Sequence, residues 1–124
     1  MSSDRASVRR RRRELHEQLR ALSFAPLMRG NLYERLRKCG RKGCACAQNP
    51  KARHRSHFLS LLLDGRRIGL HIRPDDVERV RTAVANYERA WEIINGLTAC
   101  EVADLRREAR ERVRARKRSA SRGS

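Results

Sequence analysis

The stretch His57-Phe-Leu-Ser-Leu-Leu-Leu63, Asp64-Gly65, Arg66-Arg-Ile-Gly-Leu-His-Ile72 decides the fold. Asp-Gly between two apolar runs signals a type I′ turn, whose backbone twist matches that of the flanking strands. A two-residue loop fixes the register. Leu63 opposes Arg66, Leu61 opposes Ile68, Leu59 opposes Leu70 and His57 opposes Ile72. One face is then Leu59, Leu61, Leu63, Ile68, Leu70 and Ile72. The other face is mixed: Phe58 with His71, Ser60 with Gly69, Leu62 with Arg67. One buried and one wet face is the usual antiparallel arrangement.

After the hairpin, Pro74 opens a helix, with Asp75 and Glu78 placed for a capping box. Val77, Val80, Val84, Tyr87, Trp91 and Ile94 recur at alternating spacings of three and four, an a/d seam. The seam predicts a helix that covers the apolar face of the hairpin; the alternative is a homodimer through Val77–Ile94. Gly96 breaks the pattern, and Thr98-Ala-Cys-Glu101 offers a second capping box, so a further helix is expected from near Ala99. Its stripe is Val102, Leu105, Ala109 and Val113. A single helix running through Gly96 would cost only about 1 kcal/mol at the glycine.

On the N-terminal side, Leu32 and Leu36 fit either one helical face or one strand face of Asn31 to Lys38, and a third strand leading directly into the Cys turn is the favoured reading. Residues 1–22 read as a helix with one narrow stripe of Val8, Leu15, Leu19 and Leu22. The Arg9–Arg13 run repels itself, so this helix is expected to be partly disordered until it binds. The expected organisation is a basic helix over 1–25, a core over 26–96, a basic helix over 97–118 and a disordered tail over 119–124. The fold class is α+β: a small antiparallel sheet of two or three strands with a zinc knuckle, covered by one helix and flanked by basic helices.

Between the first strand and the hairpin lies Cys39-Gly-Arg-Lys-Gly-Cys44-Ala-Cys46, followed by His54 and His57. Cys39, Cys44, Cys46 and His54 form a C-x4-C-x-C-x7-H ligand set that suits tetrahedral zinc. His57 competes with His54 for the fourth place. A Cys39–Cys44 disulfide or redox pair, an iron–sulfur cluster and inert thiols are the other readings. His71 reads as a strand histidine, His16 as a solvated helix residue and Cys100 as a small buried thiol. Four protein ligands leave no position for water, which argues for a structural rather than a hydrolytic metal. Paired carboxylates, a phosphate-binding glycine loop and a nucleophile–base pair are all missing from the sequence, so no enzyme is expected; a nuclease is the remote alternative.

The order of these parts from about Met28 to Ile94 resembles a family of small uncharacterised prokaryotic proteins. Gly30-Asn31-Leu32, the Cys39–Cys46 cluster, His54, the hairpin over 57–72 and Asn86-Tyr87 carry the resemblance. Members usually follow the His with Gly-Pro and aromatics, where this chain has Arg55-Ser56-His57-Phe58. The resemblance implies the architecture. It implies no activity, although some members are labelled transposon-related.

The formal net charge is +17. Residues 1–22 hold seven Arg against three acids, and residues 105–124 hold nine Lys and Arg against two. A polyanion is the expected partner, DNA or RNA rather than a membrane. The expected phosphate contacts are Arg41 and Lys42 at the knuckle tip, Arg9, Arg10, Arg11, Arg12 and Arg13 in the first helix, and Arg106, Arg107, Arg110, Arg114, Lys117 and Arg118 in the last. The five aromatic residues, Phe24, Tyr33, Phe58, Tyr87 and Trp91, are few, which argues against a dedicated single-strand stacking surface. With no signal peptide or bilayer-length apolar run, a cytoplasmic place in a nucleoid or ribonucleoprotein is expected. The reading is a non-catalytic nucleic-acid-binding zinc protein, an accessory part of a larger assembly. Its rivals are a protein-interaction adaptor and a structural RNA–protein component.

Overall fold

A computed structural model describes residues 2–123. The elements run α1 (Ser2–Ala21), β1 (Asn31–Arg37), β2 (His54–Leu63), β3 (Arg66–Ile72) and α2 (Val77–Arg122). They form two compact units: residues 25–88, and residues 2–24 together with 89–123.

The first unit is built on a three-stranded antiparallel sheet in the order β1-β2-β3. The β2–β3 register is the one the Asp-Gly turn dictates, including Leu63 with Arg66 and His57 with Ile72. Asp64 and Gly65 have φ of 50° and 78°, as a type I′ turn requires. The expected third strand is present as β1, which pairs with β2 so that Leu32 opposes Leu59, Tyr33 opposes Phe58 and Arg37 opposes His54. β2 starts at His54, three residues before the expected hairpin start.

The apolar face packs on the first turns of α2. Leu59, Ile72, Val77 and Val80 are buried together, with Met28, Leu32, Leu61 and Val84 against them. The cover is partial: Leu63 and Leu70, on the same face, remain about half exposed at 53% and 50%. The capping box expected at Asp75 and Glu78 is not formed. A 3-10 turn over Pro74–Asp76 leads into the helix, and Arg73 Nε donates to Asp76 Oδ2 at 3.0 Å.

The second unit is a pair of antiparallel helical segments, α1 and the later part of α2. Leu15, Ile93 and Cys100 are buried at its centre, with Val8, Leu19, Leu22 and Leu97 around them. The apolar stripe of α1 is therefore its buried stripe. The a/d seam of α2 needs correction. Val77 and Val80 face inward as expected, but between them and Ile94 the other buried positions are Ala83, Ala90 and Ile93, while Trp91 and Ile94 are 54% and 44% exposed. Val77 and Val80 lie in the core, so that part of the Val77–Ile94 seam is not available to a second chain.

The helix boundary at Gly96 is absent, and no separate helix begins near Ala99. α2 is continuous from Val77 to Arg122 and so includes residues 119–122 of the expected disordered tail, whose last residue lies outside the described residues. Gly96 is there for close approach: a Cβ at this position would meet Leu15 Cδ1 at 2.9 Å. Thr98 does not cap; its hydroxyl donates to the Ile94 carbonyl at 2.9 Å inside the helix. From Val102 to Arg122 nothing breaks the helix, because Arg, Ala, Glu and Lys are good helix formers.

An ion-pair network fastens the two helical segments. Arg12 reaches Glu101 at 3.1 Å and also donates to Asp104; Arg107 donates to Asp104 at 2.7 Å. The Asp104 carboxyl is held below its ordinary range, first by the hydrogen bond from Arg12 and then by that from Arg107. A depressed carboxyl pKa stabilises the folded state above the unfolded value of about 4 and loses that contribution as pH falls.

Two outcomes follow from this packing. Leu59→Ala should destabilise the sheet unit by ~2–5 kcal/mol in chemical denaturation, and Leu63→Ala, on the same face but exposed, by less than about 1 kcal/mol. Asp104→Asn should lower the thermal midpoint at pH 7, and the gap to the wild type should narrow as pH falls below about 4.

Candidate metal centre

Residues 38–53 connect β1 to β2 and carry three of the four cluster residues. The connection needs sharp reversals, which Gly40 and Gly43 supply with φ of 78° and 79°. Short 3-10 turns follow at Ala45–Ala47 and Pro50–Ala52. The second is capped by Asn49, whose side-chain oxygen accepts from the Lys51 N–H at 3.0 Å. These turns fold the loop back so that the last residue of β1 and the first of β2, Arg37 and His54, are cross-strand partners.

The ligand atoms of Cys39, Cys44, Cys46 and His54 all lie within 4.8 Å of one another. Cys44 Sγ is 3.3 Å from His54 Nε2, Cys46 Sγ–H donates to Cys39 Sγ at 3.5 Å, and the Cys39 N–H donates to Cys46 Sγ at 3.4 Å. Cys46 is buried, Cys39 and Cys44 are half-buried, and His54 is exposed. This is a Cys3His group able to hold a metal ion.

The protons are unevenly shared in the cluster. A hydrogen bond from the Cys46 backbone, then one from His54, lowers the Cys44 thiol to about 6. Cys46 shifts the other way. The Cys39 N–H pulls it down, but burial and the adjoining Cys44 and Cys39 sulfurs outweigh that bond and raise it. One sulfur is thus predisposed to be a thiolate while its buried neighbour keeps its proton. Metal ligation would displace the proton that Cys46 keeps.

The fourth ligand position falls to His54 and not to His57. The two are three residues apart on β2 and so lie on opposite faces of the sheet. His57 Nε2 is instead 3.2 Å from Glu34 Oε1. All four cysteines are free thiols, so Cys39 and Cys44 form no disulfide. Cys100 is buried between helices, as expected of a small apolar thiol, and His16 is exposed on α1.

The expected phosphate contacts divide. Arg41 and Lys42 are exposed between the two loop glycines, on the chain that carries the cluster. Arg9, Arg10, Arg11 and Arg13 are exposed on α1, and Arg106, Arg110, Arg114, Lys117 and Arg118 on α2. Arg12 and Arg107 do not join them, because both are committed to the acids Glu101, Asp104 and Glu111. The open sheet face adds an aromatic row, Tyr33, Phe58 and His71, that the sequence reading does not anticipate. The Phe58–His71 pairing is readable from the hairpin turn. Tyr33 is not, because a long irregular loop separates β1 from β2 and leaves their register unspecified in the sequence.

Among the described residues no helix is long and apolar enough to cross a membrane. No curated protein and no solved structure shows significant similarity to the chain. The family profile described as "Domain of unknown function (DUF6788)" matches residues 5–82, from α1 through the cluster and the sheet into α2. A match over more than half of the chain settles its kinship: this protein is a member of the DUF6788 family.

Proposed function

We propose that the chain is a non-catalytic nucleic-acid-binding protein whose loop is pinned by zinc, serving as an accessory component of a larger nucleoprotein assembly. The observation that carries this reading is the Cys3His group within 4.8 Å, set beside exposed Arg41 and Lys42 in a chain of net charge +17. Three thiolate sulfurs and one imidazole are the donor set that zinc prefers, and four protein ligands fill its tetrahedral shell. Cys39, Cys44, Cys46 and His54 would hold the ion, which would supply a fixed fold rather than an activated water. The pinned loop would present Arg41 and Lys42 as a rigid pair of cations. The basic outer faces of α1 and α2 would add contacts to phosphates, which position a protein without reading sequence.

A protein-interaction role has one specific observation in its favour. Trp91, Ile94, Val102, Leu105 and Val113 are 54%, 44%, 38%, 62% and 49% exposed, and their spacing places them along one side of α2. Sedimentation against concentration separates this reading from the first: a monomer at all concentrations removes self-association through that stripe.

Purified protein should contain about one zinc per chain by elemental analysis. Cys44→Ser should lose the zinc and the ordered loop, since metal binding and local folding are coupled; Cys100→Ser should retain the metal. A well-folded, metal-free wild type overturns the zinc reading. Affinity for duplex DNA should fall linearly on a log–log plot against salt. Replacing Arg41 and Lys42 by Ala should flatten that slope by about 0.9 for each phosphate no longer neutralised. Arg12→Ala should leave the slope unchanged and lower thermal stability, because its charge is spent on Glu101 and Asp104.

A further inference from the structure

The sheet has a second face, opposite the core, that the cluster uses only at its His54 end. Tyr33 of β1, Phe58 of β2 and His71 of β3 are direct cross-strand partners, forming one row across all three strands. The Tyr33 and Phe58 rings stack with centroids 5.9 Å apart and planes at 24°. His71 meets Phe58 edge-on at 5.2 Å. Arg35 and Arg37, on the same face of β1, place their guanidinium carbons 5.6 and 5.8 Å from the centre of the Phe58 ring. Arg35, Arg37 and His71 are exposed, while Tyr33 and Phe58 are half-buried by one another and by these neighbours.

Cross-strand ring pairs also stabilise sheets, and that accounts for Tyr33 beside Phe58. It does not account for two exposed arginines converging on the same ring. No strand residue of this face is acidic; Glu34, the carboxylate on β1, points to the other side with His57. The sheet residues packed against α2, Leu32, Leu59, Leu61 and Ile72, all belong to the opposite face. The row is therefore a ring cluster, Tyr33 stacked beside Phe58 and His71 edge-on to it, with two guanidinium groups over the Phe58 ring.

We infer that this face is a stacking platform for unpaired bases of a single-stranded nucleic acid. Tyr33 and Phe58 offer the ring surface, and Arg35 and Arg37 swing to the phosphates or stack on a base. The inference rests on the nucleic-acid reading above and narrows it. It reverses the expectation drawn from the scarcity of aromatics, because three rings suffice when the register sets them side by side. A cationic ligand would be repelled by Arg35 and Arg37, and an acidic peptide has no use for the rings. Unpaired bases need both features, since each has a π face for an aromatic or guanidinium plane and a phosphate beside it. In a duplex the base faces are already stacked on one another and closed to the platform.

The test measures binding of the full-length protein by fluorescence anisotropy, at a salt concentration that weakens phosphate contacts. The probes are a uridine-rich RNA strand, the matching thymidine-rich DNA strand, an abasic strand with the same number of phosphates, and a duplex. Wild type should bind a strand with bases at least about ten-fold more tightly than the abasic strand, the scale of a single base–aromatic stack. Phe58→Leu should weaken binding to strands with bases by about ten-fold, change duplex and abasic binding by less than about two-fold, and Phe58→Trp should preserve the preference. The RNA and DNA arms name the sugar. Equal affinity for abasic and base-containing strands overturns the platform while leaving phosphate binding intact. No binding to any probe at low salt overturns both readings. Should Phe58→Leu fail to fold, the abasic comparison on the wild type decides alone.

Discussion

The two-residue alternation of the central strand governs everything else in the sheet unit. On β2, His54 and Phe58 fall on one face; His57, Leu59 and Leu61 fall on the other. A slip of one residue would exchange them, moving Leu59 out of the core and His54 away from the thiols. The burial of Leu59 against Val77 and Val80 opposes such a slip on one side. The convergence of His54 with Cys44 opposes it on the other. Core and cluster thus constrain the same strand from its two faces.

This placement ties the proposed zinc to the proposed platform. Cys39 lies two residues beyond the end of β1, and His54 opens β2. An ion held by both would clamp the ends of the strands that carry Tyr33, Arg35, Arg37 and Phe58. Without that clamp the β1–β2 pairing depends on closing a long polar loop, whose entropy opposes it. A structural metal at this point would act on recognition by holding two strands in register, with no need to touch the nucleic acid.

How much the sequence reveals depends on whether a local rule applies. The hairpin register follows from Asp64-Gly65 alone, and Cys39, Cys44, Cys46 and His54 stand close enough in sequence for their convergence to be expected. The choice between His54 and His57 needs the strand's true starting point, after which parity decides it. The pairing of β1 has no such rule. Gly96 misleads because a glycine inside a helical pattern ordinarily weakens it, and its real role depends on Leu15, far away in sequence. The seam from Val77 to Ile94 misleads in a related way. Counting only large apolar residues passes over Ala83 and Ala90, small side chains that let neighbouring elements come close.

The acids Glu101 and Asp104 also have a meaning for colloidal behaviour. α1 and the later part of α2 are both strongly basic, and pairing them brings like charges together; Arg12 and Arg107 around Asp104 are a local exception inside a repulsive field. Added salt screens that field, so the helical pair should gain cohesion under the same ionic conditions that would weaken the proposed hold on a polyanion. A bound polyanion would do the work of the screening ions from outside, neutralising the two helices together. If the proposed partner is bound, its binding and the fold would be thermodynamically linked, the nucleic acid then serving as a counter-ion for the protein's own architecture.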